Sequence, residues 1–223
     1  MNSTIPSLMT VGVIMPTVVN PISVAIDRLR AIDVKNAYRP FAGLPFNVQK
    51  GLCKSIVIFP LKDLLAKQDM DSGLAGGLAG AAQIYLTGPL ETKFSRAAIR
   101  GFASLNGIRD AYSGALTNSV KAFIYWGVFF KATDLSWQYF EKENAKRDWA
   151  IGGFSAAAVC SPLSVLVTNR QVSSMKIKTI AQTMFAQRGL WGFYRPLGLE
   201  IARSVIAGIG TRMILDQFDK SLL

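Results

Sequence analysis

Four basic side chains are candidates for chemistry within stretches that are mostly apolar: Lys50 and Lys54 in residues 41–61, Lys121 in 111–130 and Arg203, beside Glu200 and Arg212, in 197–215. A charge among aliphatic and aromatic neighbours is costly at membrane depth, and its default explanation is function. Cations gathered in a low-dielectric cavity attract phosphates and carboxylates. Lys50 and Lys54 are spaced i, i+4 and share one side of a helix, so that side lines a wet cavity while the other meets lipid. Asn118 and Tyr125 accompany Lys121 in the same stretch, and Tyr125 or Trp126 offers a ring face on which a base would stack. The bland readings are snorkelling to an interface, packing of the two rings, or a local pair such as Glu200 with Arg203 at i, i+3.

Much other chemistry is excluded. The 223 residues contain no His, which removes the commonest zinc ligand and the usual neutral-pH base. No P-loop, HExxH or Gly-x-Ser-x-Gly pattern occurs, and no carboxylate cluster is placed to hold a divalent ion. Neither an enzyme nor a cofactor is expected. Cys53 and Cys160 sit in apolar surroundings and read as buried, reduced thiols.

The elements that must position the four cations follow from where charge is missing. Residues 1–26, 72–90 and 149–169 contain no Asp, Glu, Lys or Arg, and each approaches or exceeds the ~17 to 25 residues that span hydrocarbon. With the three charged stretches they make six spans in which dry and charged alternate, an all-α membrane protein. The competing architecture is a soluble helical bundle, in which charge-free runs of this length are rare. A cleaved signal peptide does not fit the first span, which lacks a basic start and is interrupted by Pro16 and Pro21.

Six spans place both termini on one side. The loops at 27–39, 91–110 and 170–195 then hold most of the Lys and Arg, against Asp27, Asp33, Glu91 and Asp110, while the opposite side is mildly acidic. This is a positive-inside pattern that also attracts anionic headgroups. Although the net charge is +11, the basic residues mark turns between apolar spans and form no patch interleaved with exposed aromatics, so nucleic acid is not an expected partner.

The order of features recurs three times, dividing the chain at 1–71, 72–148 and 149–223. Each copy has a dry span with a proline near its end (Pro21, Pro89, Pro162), a basic loop, and a Tyr-led approach to a charged span: Tyr38-Arg39-Pro40, Tyr112-Ser113-Gly114 and Tyr194-Arg195-Pro196. A proline lacks an amide proton and kinks its helix. In the third loop Ile177, Ile180, Ala181, Met184 and Phe185 form an amphipathic stripe ending near Gly189, a short helix along the membrane surface. Phe94, Ala97, Ala98, Phe102 and Leu105 suggest a counterpart in the second. Overlapping GxxxG pairs, Gly73 with Gly77 and Gly76 with Gly80, give span three a smooth packing face.

Three repeats of two spans, Pro89-Leu90-Glu91, Asn106-Gly107 through Tyr112-Ser113-Gly114, and Arg188-Gly189-Leu190-Trp191-Gly192-Phe193-Tyr194-Arg195-Pro196 resemble the mitochondrial carriers over essentially the whole chain. The resemblance implies a six-helix barrel with pseudo-threefold symmetry, short amphipathic helices on the matrix side, a central substrate site and alternating access by rocking of the repeats. It implies a monomer in the inner membrane of a mitochondrion, a host's mitochondrion or a reduced organelle, with cardiolipin at the matrix side. Lys50, Lys54, Asn118, Lys121, Tyr125 and Arg203 then become candidates for binding a small anionic solute, a nucleotide first among them, moved by exchange. The alternative is a carrier-like scaffold or receptor that no longer transports.

The chain departs from the family at the matrix gate. The acid positions two residues past each proline read Ser23, Glu91 and Ser164, and the base positions five past read Ile26, Phe94 and Val167. Glu91 is left to pair with Lys93, Arg96, Arg28 or Arg170, and Ile26, Phe94 and Val167 to form an apolar plug. The opposite gate is expected at Asp63 with Lys67 and Asp216 with Lys220.

Overall fold

Proline and glycine decide where the long helices start, stop and touch. The computed structural model describes residues 5–34, 37–140, 144–173 and 175–221, with side chains in the last helix through residue 217. Among the described residues it is all-helical. Seven helices have twelve residues or more: α1 (Ile5–Arg30), α2 (Leu44–Ala66), α3 (Ser72–Arg100), α5 (Ala115–Tyr139), α6 (Ala145–Val172), α7 (Ile177–Arg188) and α9 (Leu197–Ser221). Two are single turns, α4 (Ile108–Ala111) and α8 (Trp191–Tyr194). Gly43 and Gly114, with φ of 72° and 78°, turn the chain into α2 and α5 in a left-handed conformation that glycine adopts without a Cβ penalty. Asp71 caps α3, accepting from the Gly73 and Leu74 amides at 2.9 and 3.3 Å.

Two helices, α1 and α6, are long and apolar enough to cross a membrane. α3 is also long, but its charge-free part is rich in Gly and Ala and so less apolar. The long helices outrun their expected bounds. α1 continues past residue 26 and carries Asp27, Arg28 and Arg30 on its last turn, and α3 runs ten residues beyond Leu90. That extension corrects the expectation of a separate amphipathic helix in the second loop: Phe94 and Ala98 stay on α3 and are buried against Val24. In the third loop the expected helix forms as α7, with Ile180 and Met184 buried against Val165 and Gly189 at its end.

Each long helix other than α7 packs on its neighbour in the chain, and α9 closes back onto α1, so α1, α2, α3, α5, α6 and α9 form a ring. The three proline-bearing helices of the dry spans, α1, α3 and α6, also touch one another. Glycines line the seams. All four GxxxG glycines of α3 face α5, where added Cβ atoms would meet Gly127, Phe130, Phe123 or Trp126 at 2.2 to 3.1 Å. On α6, Gly152 abuts Phe129 and Thr133 of α5, and Gly153 abuts Ser204 of α9.

The prolines lie inside continuous helices, and tyrosine hydroxyls reach backbone carbonyls on two of those helices. Pro89 leaves Tyr85 O without its helical amide, and the Tyr112 hydroxyl donates to it at 2.8 Å. On the first proline helix Tyr38 donates to Pro21 O at 2.9 Å. Two of the three tyrosines that mark the repeat in sequence therefore tie a loop to its preceding helix. Pro16 likewise frees Gly12 O, and Gly51 of α2 packs over it so closely that a Cβ would lie 2.5 Å from that oxygen and 2.2 Å from Pro16 Cγ.

Gly51→Ala must push α1 and α2 apart, at a cost of about 1–3 kcal/mol. The expected result is a clear drop in the thermal unfolding midpoint of the detergent-purified protein. Gly198→Ala, where nothing lies within 4 Å of an added Cβ, leaves the midpoint unchanged or raises it.

Candidate functional site

Counted around the ring, α1, α3 and α6 are its odd helices and α2, α5 and α9 its even ones, and the register of the three even helices is set by their first hydrogen bonds. Gly43, Gly114 and Pro196 each accept at the carbonyl from the amide four residues on, those of Asn47, Asn118 and Glu200, at 3.0, 2.8 and 2.9 Å. Seven residues past the same three positions stand Lys50, Lys121 and Arg203. This corrects the sequence alignment of Tyr38-Arg39-Pro40 with the other two tripeptides: Phe41-Ala42-Gly43, three residues later, occupies that place, because Gly43 carries the left-handed turn.

Lys50, Lys54, Asn118, Lys121, Tyr125 and Arg203 all line one cavity of about 290 Å³ at the centre of the ring. The volume lies at the lower end of the ~300–1,000 Å³ of small-molecule pockets. Lys54 forms a 2.6 Å ion pair with Glu91, which also accepts from Asn118 Nδ2. Lys50 stands over the Phe94 ring, 4.5 Å from its centroid. Among the described residues Lys50, Lys121 and Arg203 make no ion pair. Glu200, the candidate local partner of Arg203, bonds to Arg30 of α1 instead. Gln83 is 1% exposed, and its Nε2 has no hydrogen-bond partner on this same cavity wall.

Aromatic side chains fill the ring on the side where the even helices finish. Phe59 of α2 stacks on Trp149 of α6 across the ring, with centroids 6.1 Å apart, and Trp126, Phe129 and Phe130 pack edge-on and face-on around them. Tyr125 stacks on Phe129 and donates its hydroxyl to Ser204 Oγ at 3.1 Å. Tyr125 and Trp126 thus border the cavity while already packed in this cluster.

The other side is closed by polar groups that the sequence reading did not assign. Six residues past Pro21, Pro89 and Pro162 lie Asp27, Ser95 and Thr168. Ser95 donates to Asp27 at 2.8 Å, and Arg30 bonds Asp27 and Glu200 at 2.9 Å each and reaches Thr168 at 3.5 Å. Arg30, Asp27 and Glu200 are 6%, 4% and 2% exposed, so these are buried charges joining α1, α3, α6 and α9. The i, i+3 spacing of Asp27 and Arg30 was the available signal, obscured because both were assigned to a loop.

Among the described residues several expected contacts are absent. Glu91 pairs with Lys54, not with Lys93, Arg96, Arg28 or Arg170: Lys93 stands over Phe46, Arg96 forks onto Asp110, Arg28 bonds Ala98 O and Arg170 bonds Met175 O. The Arg96 guanidinium holds the Asp110 carboxyl down to about 2. Ile26, Phe94 and Val167 are each buried but share no common cluster, since Phe94 packs with Val24 and Ala98. They form no plug. Nor do the acidic-side candidates join helices: Asp63 approaches Lys62 at 3.5 Å, Asp216 pairs with Arg212 on its own helix at 2.6 Å, and Lys67 is exposed. The Lys220 side chain lies outside the described residues.

No known family's model matches the chain, and no curated protein does.

Removing one member of a buried charge network leaves the others uncompensated, at a cost of about 3–5 kcal/mol. Arg30→Met is expected to lower unfolding stability by that order, and adding Asp27→Asn and Glu200→Leu to recover most of it. A stable single variant would show that Arg30 does not tie the helices.

Proposed function

We propose that the chain is a membrane carrier for a small organic anion, working by alternating access in a six-span barrel of three two-helix repeats. The observation that carries the reading is the set Lys50, Lys121 and Arg203: one cation at the same position of each even helix, all lining one cavity, none in an ion pair among the described residues. Three uncompensated cations in an enclosed space attract an anion, and the unpartnered amide of Gln83 adds a donor to the same wall. A nucleotide is the leading solute, moved by exchange.

The resemblance to mitochondrial carriers supports an inner-membrane location, with the basic loops facing the matrix. Cardiolipin fits that face, where Arg188 and Arg195 flank the exposed Trp191. Position-matched groups also favour the threefold reading: Asp27, Ser95 and Thr168 on the odd helices, and the three cations on the even ones. In this account the Arg30 network takes the place of the family's matrix salt-bridge ring, whose acid and base positions are largely vacated. Those vacated positions are also what favours a non-transporting scaffold.

Uptake of labelled ATP into proteoliposomes separates the two. A carrier shows uptake that requires internal nucleotide and falls about tenfold or more in Lys121→Ala and Arg203→Ala. Well-folded protein that moves no nucleotide, carboxylate or phosphate would leave the scaffold as the correct reading.

A further inference from the structure

The cavity that attracts an anion already holds one. Glu91 is 6% exposed, lies on the cavity wall, and is gripped by Lys54 at 2.6 Å and by the Asn118 amide. It stands two residues past Pro89, where the equivalent positions on α1 and α6 are Ser23 and Ser164. The wall is therefore threefold in its free cations and onefold in the carboxylate at this position. A structural tie between α2, α3 and α5 needs only hydrogen bonds. A carboxylate placed among four cations does something more, because it cancels one of them.

The charge count makes this quantitative. Around Glu91 are Lys50, Lys54, Lys121 and Arg203, so four positive charges less one leave three. At the loop-side end Arg30 faces both Asp27 and Glu200, which is one positive charge against two negative ones and subtracts one more. The whole cavity carries two net positive charges, and its central part carries three. Resting on the anion-carrier reading above, we propose that Glu91 is a counter-anion built into the site: by taking up Lys54 it sets the solute class, a small organic anion of about two to three negative charges.

Every extra negative charge on a solute must then be met by Lys54, which Glu91 already holds. Glu91→Gln keeps an acceptor for Asn118 but releases Lys54, raising the cavity's net charge by one. Lys54→Gln does the reverse and leaves Glu91 facing the solute. A purely structural role makes both variants weaken all ligands together. A charge-setting role moves them in opposite directions along a series of rising ligand charge.

The test is equilibrium binding of labelled ADP to the full chain in lipid nanodiscs, competed with AMP and ATP, which bracket it at about two to four negative charges, and with succinate and citrate. The carboxylates separate a preference for charge from one for phosphate. We expect the ATP-to-AMP affinity ratio to rise about tenfold in Glu91→Gln and to fall in Lys54→Gln, with citrate against succinate moving in the same sense. Glu91→Asp restores the wild-type ratio. Unchanged ratios in both variants, with wild-type binding that is lost in Lys121→Ala, would overturn the role of Glu91 while leaving the anion site standing. No binding of any probe to the wild type or either variant would overturn the anion site, and this inference with it. Should Glu91→Gln fail to fold, as read by its helical circular dichroism, the fall in Lys54→Gln decides alone.

Discussion

Cations on apolar helices constrain everything else in this molecule. Burying Lys50, Lys54, Lys121 and Arg203 among apolar side chains is costly, and among the described residues Lys54 alone of the four has an ion-pair partner, Glu91. The helices solve this together by turning the charged sides toward a common centre and closing the circle, α9 against α1. Once the ring closes, its cavity holds the charges, and apolar residues such as Val18, Leu86 and Val159 lie exposed around the outside. The cavity is thus what remains after the ring has hidden its charges.

Closing such a ring requires helices to approach closely at six seams, and small residues supply the room. Gly12 meets Gly51, α3 presents a glycine face to α5, and Gly152 and Gly153 sit between α5 and α9. Close packing and interhelical hydrogen bonds hold the seams. The two ends are closed by different physics. Aromatic rings fill one through shape and dispersion, whereas Arg30 draws four helices together at the other through charge-assisted bonds. A polar closure can exchange partners with little change of shape, while the aromatic one must repack.

Much of this was legible in the residues and some was not. The absence of charge marked the dry spans, and isolated cations marked the wet faces, because both signals are local. The stripe Ile180 and Met184 predicted α7 for the same reason. Helix ends were misread where charged residues stay helical: Asp27, Arg28 and Arg30 look like a loop but cap the last turn of α1, their cost offset by partners 68 to 170 residues away. The pairing of Glu91 with Lys54 and of Glu200 with Arg30 depends on which helices become neighbours and on their relative rotation, which no local pattern encodes. The start of α2 was hidden by the four residues that separate Tyr38 from Gly43, since only the left-handed turn at Gly43 reveals where the helix begins.

The central claim is that one closed ring separates a wet, cationic interior from an apolar exterior. Cysteine accessibility in proteoliposomes addresses it most directly, using single cysteines at Lys121 and Arg203 and at their outward-facing neighbours Val120 and Ile206, which are 47% and 41% exposed, in a background with Cys53 and Cys160 replaced by Ser. A water-soluble charged thiol reagent is expected to modify positions 121 and 203 and to spare 120 and 206. Equal or faster reaction at 120 and 206 would mean that the outer surface meets water, and the membrane-spanning ring would be refuted.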